Sequence, residues 1–228
     1  MQEVIPINST RMNPQVRRLL DALGAAATST RLQAALAVGT HPDPDAVDVL
    51  VARCAVEPDF FVRDMLTWAL TRLPKAITVP RLLAELGSEH AQARSQALHT
   101  LSKIGDGDAW PAVTPSLLRD PDDEVARTAW RAAVVLAPAG ERKALAEELT
   151  TQLGRGDRHV RLSLSQALVA LGEVAEPVLR GALASADPAV RAHARATERL
   201  LHDPDAAFDP AVDEAKRVFT LGPDGPAC

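Results

Sequence analysis

The sequence predicts an all-α protein, a right-handed α-solenoid of about six stacked helical hairpins. Three observations lead to this prediction. An apolar helical pattern recurs with an Asp before it and an Arg inside it, a second apolar pattern precedes each copy, and the copies follow at intervals of 30–34 residues. Such self-similarity is typical of solenoids, because a single hairpin cannot bury its apolar face but stacked neighbours can.

The second helix of each hairpin, called helix B, is clearest at residues 157–172. Asp four residues before the Arg suits a helix N-cap, and Pro or Gly eleven residues after it ends the helix in four copies. The Arg column comprises Arg63, Arg94, Arg127, Arg161 and Arg191. An earlier, degenerate copy ends at Gly39, and its Arg31 is predicted to be out of register.

The first helix of each hairpin, helix A, is predicted from a weaker apolar periodicity. Pro14 suits the first turn of the first one, and the Pro-rich loop 41–45 separates the first hairpin from the second. The predicted ranges are 16–23, 46–56, 79–86, 109–118, 143–153 and 176–183. With the B helices they make one array over residues 14–202.

The Asp-x-x-Val-Arg opening, seen at Asp59-Phe60-Phe61-Val62-Arg63, and the small-residue helix after it resemble HEAT repeats. The resemblance is to the short form found in phycocyanobilin lyases, and it covers residues 14–202. It implies that the B helices line a concave face and that the Arg column forms a structural ladder along the stack.

Charge is unevenly distributed along the chain. The whole chain carries a net charge of −5, whereas the B-helix segments, counted from each Arg to the tenth residue after it, hold ten bases and two acids. This count begins after the Asp caps, but without the five column Arg residues the balance is still +3. A basic concave surface attracts acidic groups, so the expected partner is an acidic or extended protein segment.

Candidate contact residues follow from positions on these helices. Trp68 and His99 both lie five residues after their Arg, which predicts that they are neighbours on one surface. Trp130 instead shares its position with apolar residues in every other copy, so we predict that it belongs to the core. The candidate partner-binding residues are Asp64, Trp68, Arg72, His99, Lys103 and Arg131.

No constellation for catalysis, cofactor binding or metal binding is found in the sequence. The six His and two Cys form no pair at ligand spacing, and the His-Glu dipeptides of the HEAT-like deoxyhypusine hydroxylases are absent. Cys54 lies in a predicted helix and is interpreted as a small core residue. We therefore predict no catalytic residue, no metal and no cofactor.

Three functions remain open. The leading hypothesis is a non-enzymatic protein-interaction scaffold. The alternatives are a nucleic-acid-binding protein resembling the HEAT-like alkylpurine DNA glycosylases, which the pair Trp68 and Asp64 suggests, and a pigment handler resembling the bilin lyases. The sequence pI of about 5.7 counts against the nucleic-acid alternative.

The two ends differ from the array. Residues 1–13 are polar without periodicity and are predicted to be disordered. Residues 203–228 hold six acids and two bases, with a short amphipathic stretch at 210–219 that we expect to cap the sixth hairpin rather than enter the basic groove. No signal peptide and no apolar run of membrane-spanning length is expected. The prediction is a cytoplasmic monomer without a membrane partner.

Overall fold

The computed structural model describes residues 14–203, which form twelve α-helices and four 3-10 helices without a β-strand. Predictions about residues 1–13 and 204–228 lie outside this range. The helices are α1 Pro14–Ala22, α2 Thr28–Thr40, α3 Val47–Val56, α4 Phe60–Thr71, α5 Lys75–Glu85, α6 Ala91–Ile104, α7 Pro115–Leu118, α8 Asp123–Leu136, α9 Arg142–Thr150, α10 Arg158–Leu171, α11 Glu176–Leu183 and α12 Pro188–His202. They form six consecutive hairpins, so the predicted α-solenoid of helical hairpins is confirmed.

The chain divides into two compact units after Leu136. In the first unit, the B helices α2, α4, α6 and α8 pack in that order, and the A helices α3 and α5 pack beside them. In the second unit α10 packs on α12, and α9 packs on α10 and α11. Buried Leu, Val and Ala side chains fill each unit, as expected for closely packed helices.

The start of each helix B fixes a common register. Three of the predicted caps are confirmed, because the carboxylates of Asp59, Asp157 and Asp187 accept hydrogen bonds from first-turn N–H groups. At α8 the predicted cap Asp123 is wrong. Asp122 Oδ1 accepts from the N–H groups of residues 124 and 125, so this helix begins one residue earlier than the pattern implied.

The register is defined by the residue whose backbone N–H donates to the carbonyl of the cap. These reference residues are Arg31, Arg63, Arg94, Ala126, Arg161 and Arg191. The prediction that Arg31 is out of register was therefore wrong, and Arg127 is the residue displaced by one position. In the sequence, the register was inferred from the position of the capping Asp. This inference was wrong where Ala27 occupies the cap position and where Asp122 and Asp123 are adjacent.

Most reference arginines bond backbone that precedes their own helix. Arg31, Arg63, Arg94 and Arg191 each donate from Nη1 to the carbonyls five and six residues earlier, at 2.6–3.2 Å, and Arg161 donates from Nε to the carbonyl of Gly156. Arg127 instead pairs with Glu124, and its Nε is buried without a hydrogen-bond partner in the described part of the chain.

Two of these arginines also join neighbouring hairpins. Arg31 binds both carboxylate oxygens of Glu57 at 2.8 Å, and Arg94 binds both oxygens of Asp120 at 2.9 and 3.0 Å. Glu57 is fully buried and also pairs with Arg53. Burial alone would raise the pKa of Glu57, but hydrogen bonds from Arg31, from the backbone of Asp59 and from Arg53 outweigh it and lower the pKa to about 2.

The helix predicted at 109–118 is wrong. This segment forms a 3-10 helix, Gly107–Ala112, followed by the single α-helical turn α7. Pro111 and Pro115 each lack the N–H that a continuous helix needs, which explains the interruption. In contrast, α11 has the predicted bounds.

Trp130 and Cys54 both lie in the core, as predicted. The side chain of Trp130 is fully buried, and its indole Nε1 donates to the carbonyl of Leu118 at 2.8 Å. Cys54 is 4% exposed, and burial raises the pKa of its thiol to about 12. The thiol is therefore protonated at neutral pH and poorly placed to act as a nucleophile.

One stretch, Arg158–Leu183, is long and apolar enough to cross a membrane by length and composition alone, contrary to the expectation from sequence. In the structure it consists of α10, a 3-10 helix at Gly172–Ala175 and α11, with a break where Gly172 has φ +73°. Of its most apolar window, 44% is buried inside the protein. These apolar residues thus contribute to the core of the second unit.

His193 links three parts of the second unit. Its Nδ1 accepts from the N–H of Gly154 at 3.0 Å, and its Nε2 donates to the carbonyl of Arg161 at 2.9 Å. These bonds define the neutral ring with hydrogen on Nε2. Burial lowers the pKa of His193, against the hydrogen bond to Arg161, which raises it.

We expect protonation of His193 to destabilise the fold, because a proton on Nδ1 would break the bond from Gly154. The pKa is lowered in the folded state, so the stabilisation is present above the unfolded value of about 6.5 and is lost as the pH falls towards the folded value. Urea melts at about pH 7.5 and about pH 5.5 test this. His193→Gln, which does not titrate, should lose less stability between the two conditions than the wild type. An equal loss would refute this role.

Candidate functional site

A groove of about 360 Å³ crosses α4, α6 and α8 in the first unit. It lies along the N-terminal parts of three consecutive B helices, as far as His99 in α6 and Arg131 in α8, so the repeat itself brings these side chains together. Its lining consists of Phe60, Arg63, Asp64, Ala91, Gln92, Ser95, Gln96, His99, Asp122, Glu124, Thr128 and Arg131. Only two of these residues are apolar, so the groove presents mainly hydrogen-bonding groups.

Three of the lining side chains, Asp64, Gln96 and His99, have no hydrogen bond to any residue between 14 and 203. Burial lowers the pKa of His99, as do the charges of Lys103 and Arg131, while Asp64 and Glu124 act in the opposite direction. The imidazole is therefore neutral at pH 7 and offers one donor and one acceptor. A carboxylate, an amide and an imidazole thus face the groove with unused hydrogen-bonding capacity.

The charges in the groove are mixed. Two guanidinium groups and three carboxylates line it. Arg63 donates to two backbone carbonyls, and Arg131 lies 3.5 Å from Glu124 and donates to the carbonyl of Arg127. The sequence count that predicted a basic surface started after the helix caps, so it omitted Asp122 and Glu124, which lie at the start of α8.

The structure separates the six candidate residues into two groups. Asp64, His99 and Arg131 line the groove, whereas Trp68, Arg72 and Lys103 do not. The ring of Trp68 packs on Gly39 in α2 so closely that a Cβ at position 39 would overlap it, although 36% of Trp68 remains exposed. The groove therefore does not combine Trp68 with Asp64, the pair on which the glycosylase resemblance relied.

Sequence reasoning missed Phe60 and Phe61 at the start of α4. They are 65% and 69% exposed, and their rings meet edge to face with centroids 5.6 Å apart. The guanidinium of Arg63 lies 6.0 Å from the centroid of Phe60. The signal was available: two of the four Phe in the chain occupy the first two positions of one helix B, where no other helix B has Phe or Trp.

The groove also contains the residue types of a hydrolytic triad, Ser95, His99 and Asp64. A triad requires the hydroxyl to bond the imidazole and the imidazole to bond the carboxylate. Ser95 is 4% exposed, its hydroxyl lies 3.1 Å from the hydroxyl of Thr128, and no hydrogen bond joins it to His99. Among residues 14–203, no group of three His, Cys, Asp or Glu side chains is arranged to hold a metal ion.

The groove lies within the part of the chain that resembles a known family. Residues 62–133 match the family model for HEAT repeats, and no curated protein sequence matches the chain. Similar solved structures include the complex of CpcE and CpcF of phycocyanin lyase from Nostoc sp. PCC7120, with 19% identity over 88% of this chain and 81% of that chain and a TM-score of 0.46.

Human deoxyhypusine hydroxylase in complex with glycerol is similar at 18% identity over 89% of this chain and 91% of that chain, with a TM-score of 0.45. The designed armadillo repeat protein YIII(Dq)4CqI is similar at 16% identity over 82% and 99%, with a TM-score of 0.43. The match at residues 62–133 agrees with the Asp-x-x-Val-Arg openings and the six helical hairpins. The HEAT-repeat assignment therefore holds for residues 62–133, from α4 to α8.

Proposed function

We propose that this protein is a non-enzymatic scaffold that binds an extended segment of a partner protein in the groove across α4, α6 and α8. HEAT repeats generally act as protein-interaction scaffolds. One observation carries the proposal: Asp64, Gln96 and His99 line a single groove and have no hydrogen bond within the described chain. Polar groups that a fold leaves unused in a groove are available to a ligand.

Binding would combine polar and apolar contacts. The three side chains offer donors and acceptors to the backbone or polar side chains of a segment crossing the helices. Phe60, at the rim, and Phe61 beside it offer apolar area for an apolar side chain of the partner, and exposed aromatic residues often dominate interface energetics. The mixture of carboxylates and guanidinium groups favours a segment of mixed polarity over a strongly acidic one.

The candidate residues supply a matched pair of variants. Asp64→Ala with His99→Ala removes two groups from the groove, and Arg72→Ala with Lys103→Ala removes two exposed charged groups outside it, one directly after α4 and one in α6. A peptide selected on the full chain from a random dodecapeptide display library serves as the probe. Each lost hydrogen bond should cost about 0.5–1.5 kcal/mol, so the groove variant should bind the peptide about tenfold more weakly.

The control variant should bind the peptide as the wild type does. Isothermal titration calorimetry measures both affinities. Equal affinity of the groove variant and the wild type, or a loss only in the control variant, would overturn the proposed site. Selection of no peptide over several rounds would count against a segment-binding scaffold altogether.

A further inference from the structure

The last helix B, α12, differs from the earlier B helices in the column four residues after the reference residue. In the other five this residue is uncharged and buried: Ala35, Thr67, Leu98, Trp130 and Ser165. The hydroxyl oxygen of Thr67 in α4 lies 3.5 Å from that of Thr100 in the next helix B, α6. The hydroxyl oxygen of Ser165 in α10 lies 2.7 Å from that of Thr197 in α12. In α4 and α10 this column therefore faces the following helix B. In α12 it holds Arg195, which is exposed.

The column eight residues after the reference residue shows the same difference. It is uncharged in the earlier helices, at Gly39, Thr71, Ser102, Val134 and Val169, and in α12 it holds the exposed Arg199. Ala192 and Ala196 are also exposed and lie on the same face, since residues three and four apart share one side of a helix. We call Ala192, Arg195, Ala196 and Arg199 the end stripe of α12. Neither arginine has an ion pair with any residue between 14 and 203.

The sequence that follows α12 is complementary to the end stripe in charge and in spacing. Residues 204–228 hold five acids and two bases, and Asp205, Asp209 and Asp213 are spaced by four residues. Arg195 and Arg199 have the same spacing. A segment that reverses direction just after α12 would place Asp205 opposite Arg199 and Asp209 opposite Arg195.

Apolar residues lie between these acids. Phe208 and Val212 fall within the same segment, and the exposed Ala192 and Ala196 leave room for them on the stripe. Large apolar side chains gain more from such a surface than exposed ion pairs do, while the charges fix direction and register. The attachment point at Asp203, directly after the stripe, keeps the segment at high local concentration.

We propose that residues 204–213 dock in antiparallel direction on the end stripe of α12 and cover the face that α4 and α10 turn towards the following helix B. Alternatively, this face is exposed to solvent, or a second copy of the chain covers it. These possibilities are distinguished by the following experiment.

A paramagnetic tag tests the placement in the full chain. The tag is attached to Ala211→Cys in a Cys228→Ser background, and Cys54 is protected because burial raises its pKa and hides the thiol. Paramagnetic broadening of amide signals is then measured in the ¹⁵N-labelled protein. Docking predicts the strongest broadening at residues 191–196, in the N-terminal half of α12. A segment that is merely tethered predicts broadening that is strongest near Asp203 and declines towards residue 191.

Charge reversal provides the control. With Arg195→Glu and Arg199→Glu, the broadening should become strongest near Asp203 and decline towards residue 191, as expected for a segment that is only tethered. Adding Asp205→Arg and Asp209→Arg should restore the broadening at 191–196. All four changes are on exposed or terminal positions, and unchanged signals from the rest of the chain show that the fold is intact. A tethered gradient in the unreversed protein would overturn the proposal. Broadening that arises only between a tagged molecule and a separate labelled molecule would also overturn it, because a second copy of the chain would then cover this face.

Discussion

Replacing Trp130 with Ala is expected to lower the free energy of unfolding by about 3–5 kcal/mol. The side chain is fully buried and is the largest in the core, so its removal leaves a cavity that the neighbouring helices cannot close completely. The change also leaves the carbonyl of Leu118 without the indole donor at 2.8 Å. Urea denaturation followed by circular dichroism measures the loss.

Trp68→Ala is the matched control for this change. Trp68 already exposes 36% of its surface and loses mainly its contact with Gly39 in α2. Its removal should therefore cost clearly less than that of Trp130. Equal losses would contradict the helical register in which Trp130 belongs to the core and Trp68 lies at its edge.

Glu57→Gln should destabilise the protein by about 3–5 kcal/mol, because it leaves the buried Arg31 and the half-buried Arg53 without their counter-charge. Glu57 is fully buried, and its two oxygens bind Arg31, Arg53 and the backbone N–H of Asp59. The control is Asp48→Asn, which breaks the exposed pair with Arg81 and should cost about 0–1 kcal/mol. A loss at Glu57 no larger than that at Asp48 would show that the buried network does not stabilise the stack.

The same network predicts how the free energy of unfolding depends on pH. The pKa of Glu57 is about 2 in the folded protein, below the value of about 4.3 expected in an unfolded chain. A lowered pKa stabilises the fold above the unfolded value, and this contribution is lost as the pH falls from about 4.3 towards 2. The difference in the free energy of unfolding between the wild type and Glu57→Gln should therefore shrink across that range. A constant difference between the two proteins at all pH values would refute the assignment.

The hairpins could be predicted from sequence because helical periodicity, Asp caps and Gly or Pro stops coincide in most copies. Trp130 was placed in the core because the residues at the corresponding position in the other copies, counted from their Arg, are apolar. The prediction was right, although the shift of one residue in α8 aligns Trp130 with Thr67 and Ser165 instead. The register was misjudged at Arg31 and Arg127, where the cap that served as a guide is absent or doubled. Local hydrogen bonds decide such a shift of one residue, and a repeat consensus does not contain them.

The groove was only partly predictable. Position on the helix identified His99, and the resemblance to the DNA glycosylases pointed to Asp64, but Gln96 resembles any exposed polar residue in the sequence. Phe60 and Phe61 follow the cap Asp59, where the search for contact residues did not extend. The packing of Trp68 on Gly39 joins residues 29 positions apart in sequence, a contact that only the stacked hairpins create.

The central claim, that a partner segment occupies the groove across α4, α6 and α8, is tested most directly by chemical-shift mapping. The ¹⁵N-labelled full chain is titrated with the display-selected peptide, and the amide signals that move are assigned. The account predicts that the largest shifts lie at Asp64, Gln96, His99 and their neighbours in the groove. Shifts confined to α10–α12, or shifts in the groove that persist unchanged in Asp64→Ala with His99→Ala, would contradict it.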